Sequence, residues 1–437
     1  MDILKYIEGQ GNKEYKTGIL NTLRLQKSAQ KTNIAKASDI PWGSAANLID
    51  DMTKYNFIIE GLEQSNSDKR KTLVINPKIG YFIGVSVGTS HVKVALLDFS
   101  LNNASKEFIL SETKKHGCEE DLINIMDKIA INNHEPMALW CANTPSADEI
   151  GSTESLLKLK TLLNNICDFA LKLDSYGLNI FSICFSFPGH VDFLNNSIIE
   201  SSNFDFCFKN VGIINLFTSN ILESLIKQNI RVYLEHNVKS AAVAEVESVY
   251  DKNFSENMAI IYFGTGLGAS FILDSKLYRG SSNASGQLGH THFGDNSSIS
   301  KCACGRVGCL EQVIREGVFN GIDIKKSTGK ELANYLDKNN ERKKQLVHYL
   351  SETIYNLVMI LEIDTVVFSG KLSAIYKVLE NEFQEQMISK NISKLKIIPS
   401  AIGDYASAIG SAKCGYYRIF DIPFEWNKAI ANTKADI

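Results

Sequence analysis

Three cysteines crowd into the stretch KCACGRVGCLEQ, residues 301–312: Cys302, Cys304 and Cys309 lie within eight positions of a 437-residue chain that has nine in all. The other six, at 118, 141, 167, 184, 207 and 414, are widely scattered, and the total is odd. That usage argues against a disulfide framework and for a reducing compartment, so a cytoplasmic protein is expected. C-x-C-x4-C with intervening glycines lets one loop wrap until several thiolates converge. Zinc at a structural site takes four nitrogen or sulfur ligands in a tetrahedron. A fourth donor is on hand upstream in GQLGHTHFG, as His290 or His292. The alternative is a reduced loop of buried thiols; the compact spacing beside a histidine favours one structural Zn2+ per chain.

A chain of this length exceeds one ordinary core and implies about two or three domains. It is 44% apolar and 22% charged with seven prolines, a globular composition, and carries a formal charge of −3. Residues 1–78 are +3 and the remainder −6. A mildly basic head on an acidic body permits contact with nucleic acid. No apolar run approaches the ~18 residues a membrane helix needs, and MDILKYIEGQGNKEYK lacks the layout of a secretion signal, so no membrane partner is expected.

Within residues 1–78, GILNTLRLQ shows helical spacing, and Thr32 is placed to cap a short helix through Ala37 that SDIP breaks. A further helix is predicted from about Gly43 to Tyr55, with Ala45, Leu48, Ile49 and Met52 forming one buried stripe. Ser44, Asn47, Asp51 and Lys54 then share the open face. FIIEGLE and RKTLVIN read as two short strands around the polar loop QSNSDK. Helix, short helix, turn, helix and two-stranded wing make a winged helix-turn-helix. Its functional reading is DNA binding, with Ser44, Ala46, Asn47 and Lys54 on the recognition helix and Lys69, Arg70 and Lys71 of the wing at phosphates. The competing reading is a protein-interaction module, and Asp50 and Asp51 weigh on that side.

From Tyr81 onward, strands alternate with helices. YFIGVSVGTSHVKVALLDF reads as two strands around a turn, NIFSICFSFPGHVD as a buried strand ending in a Pro-Gly loop, and IRVYLEHNVKSAAVAEVES as a strand running into a helix. MAIIYFGTGLGASFILDSKLYRG is a hairpin about a glycine-rich turn, TVVFSGKLSA a late strand and turn, and YASAIGSAKCGY a helix of small residues. Strands that end in such turns gather loops at one edge of a sheet, where small ligands sit. Alone, GTGLG at Gly264–Gly268 is weak evidence for phosphate binding, because hairpins use glycine for conformational reasons.

GQLGH followed by CACGRVGCLE resembles the signature of the ROK family (repressors, open reading frames, kinases): G-E-x-G-H, then C-x-C-G-x-x-G-C-x-E. The resemblance covers residues from about 81 to 420, and the head is similar to that of the family's repressor branch. It implies an α/β, actin-like (hexokinase-like, ribonuclease H-like) body of two lobes with a sugar cleft between them. Expected boundaries are 1–78 for the winged helix-turn-helix, 79–203 for the first lobe and 204–437 for the second, its C-terminal segment returning to the first. By the resemblance His290 joins Cys302, Cys304 and Cys309 as zinc ligand, with His292 the alternative because the interval to Cys302 is about two residues long for the family.

A kinase of this family needs a carboxylate to take the sugar hydroxyl's proton and another to hold the magnesium–phosphate cluster. By the resemblance, EHNVKSA puts Glu235 at the family's Glu, His236 at its Asn and Asn237 at its catalytic Asp. SVGTSH puts Ser86 at the Asp of the first phosphate motif, with Thr89 in place of a glycine. Gln287 replaces the Glu of G-E-x-G-H, and Lys371 the second glycine of the adenosine loop. Three carboxylates are gone together, so no catalysis is expected. Gln287, His236 and Asn237, with Glu311 and His290, and with Gly189, His190 and Ser202 from the neighbouring loops, are expected to bind a sugar or sugar-derivative effector; the opposing view is a relic cleft that binds nothing.

These residues together predict a sugar-responsive, DNA-binding transcription regulator, a repressor of carbohydrate genes that acts on operator DNA as a homodimer or homotetramer. The rival is an ATP-dependent, glucokinase-like sugar kinase with an accessory head. Residues 114–151 lie in a span some 35 residues longer than the resemblance leads one to expect, an apparent insertion.

Overall fold

A computed structural model describes residues 6–7, 12–61, 72–104, 109, 139–144, 152–201, 204, 206–294 and 299–426. The head opens with α1 (Lys13–Gln26), α2 (Lys31–Ala37) and α3 (Trp42–Lys54), followed by the antiparallel pair β1 (Ile58–Glu60) and β2 (Leu73–Ile75). Ala45, Leu48, Ile49 and Met52 form the buried stripe of α3, as the spacing predicts. Thr32 does not cap α2. The helix already includes Lys31, and Gln30 occupies the capping position without a side-chain hydrogen bond. Asp51 also departs from expectation. It is half-buried and accepts a hydrogen bond from the Tyr6 hydroxyl at 2.5 Å, which takes it off the open face.

The body holds two five-stranded sheets. The first runs β10-β6-β3-β4-β5, built from β3 (Tyr81–Val87), β4 (His91–Asp98), β5 (Leu139–Asn143), β6 (Ile180–Phe187) and β10 (Arg231–His236). Every residue of β6 is buried, Ser182 and Ser186 among them; the strand lies between parallel neighbours in a sheet covered on both faces, which is why apolar residues dominate it without alternating. Helix α4 (Ser152–Leu173) leads into β6, and a small sheet of β7 (His190–Asp192), β8 (Ser197–Ser201) and β9 (Phe208–Gly212) follows it. Helix α5 (Ser219–Lys227) then precedes β10.

Two sequence expectations shift here. The boundary at 203/204 cuts the first lobe, since β10 pairs with β6 in parallel from Arg231↔Ser182 to His236↔Phe187. Partner choice at long range leaves no mark in a strand's own pattern. The apparent insertion at 114–151 also contains part of the fold: β5 is the edge strand beside β4, while residues 114–138 lie outside the described ones.

Helix α6 (Asn237–Asn253) leaves β10 directly and leads to the second sheet, ordered β13-β12-β11-β14-β15. Its strands are β11 (Met258–Phe263), β12 (Leu267–Leu273), β13 (Lys276–Tyr278), β14 (Thr365–Gly370) and β15 (Lys396–Pro399). Helices α7 (Gly329–Lys338), α8 (Asn340–Leu361) and α9 (Lys371–Ser389) supply its helical layer, with Leu332, Leu350, Ile354, Ile375 and Phe383 in one apolar cluster with Ile261 and Phe368. The last helix, α10 (Ala406–Ile419), is almost wholly buried. A Cβ on Gly410 would lie 1.6 Å from the Ser240 carbonyl oxygen, so α10 and α6 touch backbone to backbone. Among the described residues, no helix is long and apolar enough to cross a membrane.

Candidate functional site

A cleft of about 630 Å³ opens where the turns of both sheets converge. Ser86 at the end of β3, the β3–β4 turn, the start of α6 and the glycine-rich β11–β12 turn all line it. Of the sugar-contact residues expected from the sequence, Gly189, His190, His236, Asn237, Gln287, His290 and Glu311 line this one cleft; Ser202 lies outside the described residues.

Their settings differ. Burial, with Lys239 nearby, lowers the His236 imidazole to about 3, so it is neutral; its Nδ1 accepts from the Val238 amide. Asn237 begins α6 and its Oδ1 also accepts from Val238. His190 donates from Nε2 to the Ser282 carbonyl at 2.6 Å. Glu311 is the most constrained. Its Oε2 accepts the Leu267 amide at 2.9 Å, its Oε1 accepts from Arg315 at 2.9 Å, and Gly266 leaves the space its carboxylate fills. Glu235 sits apart, fully buried, with both oxygens on Arg279 at 3.0 and 2.7 Å; burial alone would raise its carboxyl, but Arg279 holds it below the usual range.

Sequence reasoning left one half of the cleft unread. Thr265, His91, Lys93, Tyr262 and Asp404 line it together with Thr89 and Lys371. The Thr89 hydroxyl donates to that of Thr265, from a turn of the first sheet to a turn of the second. Lys93 donates to the Asp404 carbonyl at 3.0 Å and lies 3.7 Å from its carboxylate. Burial, then the charges of Lys93 and Lys371, lower the His91 imidazole. The sequence marked Thr89 and Lys371 as substitutions within glycine motifs. Nothing marked Asp404, which arrives from the turn before α10.

His290, Cys302, Cys304 and Cys309 form a group whose ligand atoms all lie within 4.8 Å of one another. His290 Nδ1 is 3.5 Å from Cys302 Sγ, and Cys304 Sγ is 3.5 Å from Cys309 Sγ. Ligands about 2.0–2.3 Å from a tetrahedral ion stand at such mutual separations. Burial and the adjacent Cys304 and Cys302 sulfurs push the Cys309 thiol up. These residues could hold a metal ion. His292 stands outside the group and bridges Cys309 through its backbone.

In the head, Asn47 and Lys54 are exposed while Ser44 and Ala46 are half-buried. Trp42, which opens α3, is 53% exposed, and sequence reasoning did not single it out. Lys69, Arg70 and Lys71 lie outside the described residues.

Residues 150–414 match the ROK family. The chain belongs to that family. Among ROK relatives, the xylose repressor of Caldicellulosiruptor bescii is 25% identical over 307 residues, 68% of this chain and 63% of that protein. The xylose repressor of Bacillus subtilis (strain 168) is 22% identical over 405 residues, 90% of this chain and 92% of that protein. A solved ROK family transcriptional regulator, a homologue of the E. coli MLC protein, superposes with a TM-score of 0.60 at 16% identity, covering 96% of this chain and 99% of that one. The architecture is therefore the two-lobe ROK fold with a helix-turn-helix head.

Proposed function

We propose that this ROK protein is a sugar-responsive transcriptional repressor of carbohydrate genes, cytoplasmic, and a homodimer or homotetramer on a two-fold operator. The observation that carries the reading is the uncharged set Ser86, Asn237 and Gln287 lining the cleft. A hydroxyl and two amides hydrogen-bond sugar hydroxyls but cannot take up a proton from an attacking one. The cleft binds without phosphoryl transfer, with His190, His236, Asn237, Gln287 and Glu311 on the ligand. The similarity to xylose repressors along most of the chain supports the same reading and makes a pentose a first candidate.

Zinc held by His290, Cys302, Cys304 and Cys309 has a structural role. It fixes the loop that sets Glu311 two residues beyond Cys309 and places His290 at the cleft. The head binds operator DNA through Ser44, Ala46, Asn47 and Lys54 of α3 and through Lys69, Arg70 and Lys71. A ligand changes the outcome by binding the open and closed arrangements of the lobes unequally.

Three measurements on the full chain test this. A coupled ADP assay with D-xylose, D-glucose and N-acetylglucosamine should show no turnover above background; Asn237-dependent turnover would establish the kinase. One sugar of a wider panel should raise the melting temperature. Duplex DNA should bind with an affinity that falls steeply with salt, and its absence would remove the head's role.

A further inference from the structure

The head is not tethered loosely to the body. Leu20, Leu23, Ile49 and Ile58 share one apolar cluster with Phe82, Phe181 and Tyr416 of the body. A group of charges is buried at that contact. Arg24, in the last turn of α1, places Nη1 2.5 Å from Glu247 Oε1 of α6, and the two side chains are 3% and 7% exposed. Lys413 of α10 donates to Glu247 Oε2 at 2.6 Å, and the Tyr417 hydroxyl donates to Oε1 at 2.7 Å. Arg24 Nη2 in turn donates to the Tyr417 hydroxyl at 2.8 Å, and the guanidinium stands 4.9 Å from that ring's centroid. One carboxylate thus gathers groups from α1 and α10 while itself belonging to α6.

The two body helices of this cluster also reach the cleft. α6 begins at Asn237, and ten residues of helix, roughly 15 Å, separate that residue from Glu247. Near the cleft end, Ser407 of α10 donates to the Asn237 carbonyl at 3.0 Å, and Gly410 admits the Ser240 backbone against it. Two helices packed at backbone contact cannot slide independently, because interiors are close-packed. A buried ion pair is directional as well: leaving Glu247 without Arg24 strands charge in an apolar surround, so the head has one favoured seat. Beside the cluster lies a second cavity, of about 670 Å³, walled by Arg24, Val74, Asn102, Glu247, Tyr405 and Lys413, which leaves space on one side of the seat.

We propose that Glu247 is the positioning residue of the DNA-binding head: through Arg24 it locks α1 onto the paired helices α6 and α10, so the head is held at a set angle to the lobe that carries Asn237. This rests on the reading of the head as a DNA-binding module. The heads of an oligomer then keep a spacing dictated by the bodies rather than by a flexible linker.

The test is amide hydrogen exchange on the full-length wild type, Glu247→Gln, Arg24→Met and Arg24→Lys. In Glu247→Gln and Arg24→Met, peptides from residues 13–54 should exchange at least tenfold faster, while those from β11, β12 and β14 keep their wild-type rates. Arg24→Lys, which retains the charge but not the second N–H that reaches Tyr417, should fall between wild type and Arg24→Met. Unchanged exchange in the head, or equal acceleration in head and second sheet, overturns the proposal. Arg24→Met answers the question if Glu247→Gln does not fold. Binding of a 40-base-pair mixed-sequence duplex by the wild type separates the two readings: no salt-dependent binding removes the DNA role, whereas the exchange rates still decide whether Glu247 seats the head.

Discussion

The Thr89 hydroxyl donates a 2.7 Å hydrogen bond to the Thr265 hydroxyl, joining the turn after β3 to the turn after β11. Each residue stands at the end of a different sheet and lines the cleft, so this contact spans the two lobes across it.

Thr89→Val and Thr265→Val keep the shape and remove the contact. Each should cost about 1 kcal/mol of stability, and the double variant should cost little more than either alone. Denaturant unfolding of the four proteins measures this coupling. Full additivity would show that the hydroxyls act independently.

For the metal group, the full-length wild type should carry one zinc per chain by elemental analysis. Cys309→Ser and His290→Ala should lose most of it and melt several degrees lower, since an ion that binds only the native state stabilises that state. His292→Ala should retain the ion because it stands outside the group of four.

Glu245 predicts a loss of stabilisation as pH rises from acidic toward neutral. Burial raises its carboxyl to about 7, against the lowering effect of the Ser369 and Ser400 hydroxyls, which donate to Oε1 at 2.5 and 2.6 Å. A raised acid favours folding fully below its unfolded value and loses that contribution as pH climbs through the folded one. The Glu245 contribution should therefore fall between about pH 4.5 and 7.5, by about 3 kcal/mol at most, while the buried neutral His236 contributes with the opposite sign over the acidic part of that range. In chemical denaturation, the stability of the wild type relative to Glu245→Gln should decline as pH rises over 5–8, which isolates this component. Glu247 has the opposite sign: despite burial, Arg24 and Lys413 hold its carboxyl down at about 2, so its contribution is lost only as pH falls from about 4.5 toward 2 and leaves this window clear.

Arg279→Met should be among the most damaging changes away from the cleft. It leaves Glu235, with no exposed side-chain surface, deprived of both guanidinium hydrogen bonds, at a cost of about 3–5 kcal/mol. Adding Glu235→Gln should recover part of that loss, which urea midpoints with an unchanged slope would reveal.

Much of this was legible in residue order. The stripe of Ala45, Leu48, Ile49 and Met52 names the buried face of α3 because helical periodicity is a local property. The apolar run of β6 announces a strand covered on both faces, and C-x-C-x4-C with an upstream histidine announces converging donors. The motif frames likewise single out Asn237, Gln287, His290 and Glu311, which line one cleft.

What residue order could not state was which distant segments meet. The assignment of β10 to the first sheet and the arrival of Asp404 opposite Lys93 each depend on chain segments brought together in space. Arg24 and Glu247 are the clearest case: 223 positions apart, each reads alone as an ordinary charge on an amphipathic helix. Only close packing of α1, α6 and α10 removes water from around them, and that removal turns two surface-type residues into the joint between head and body.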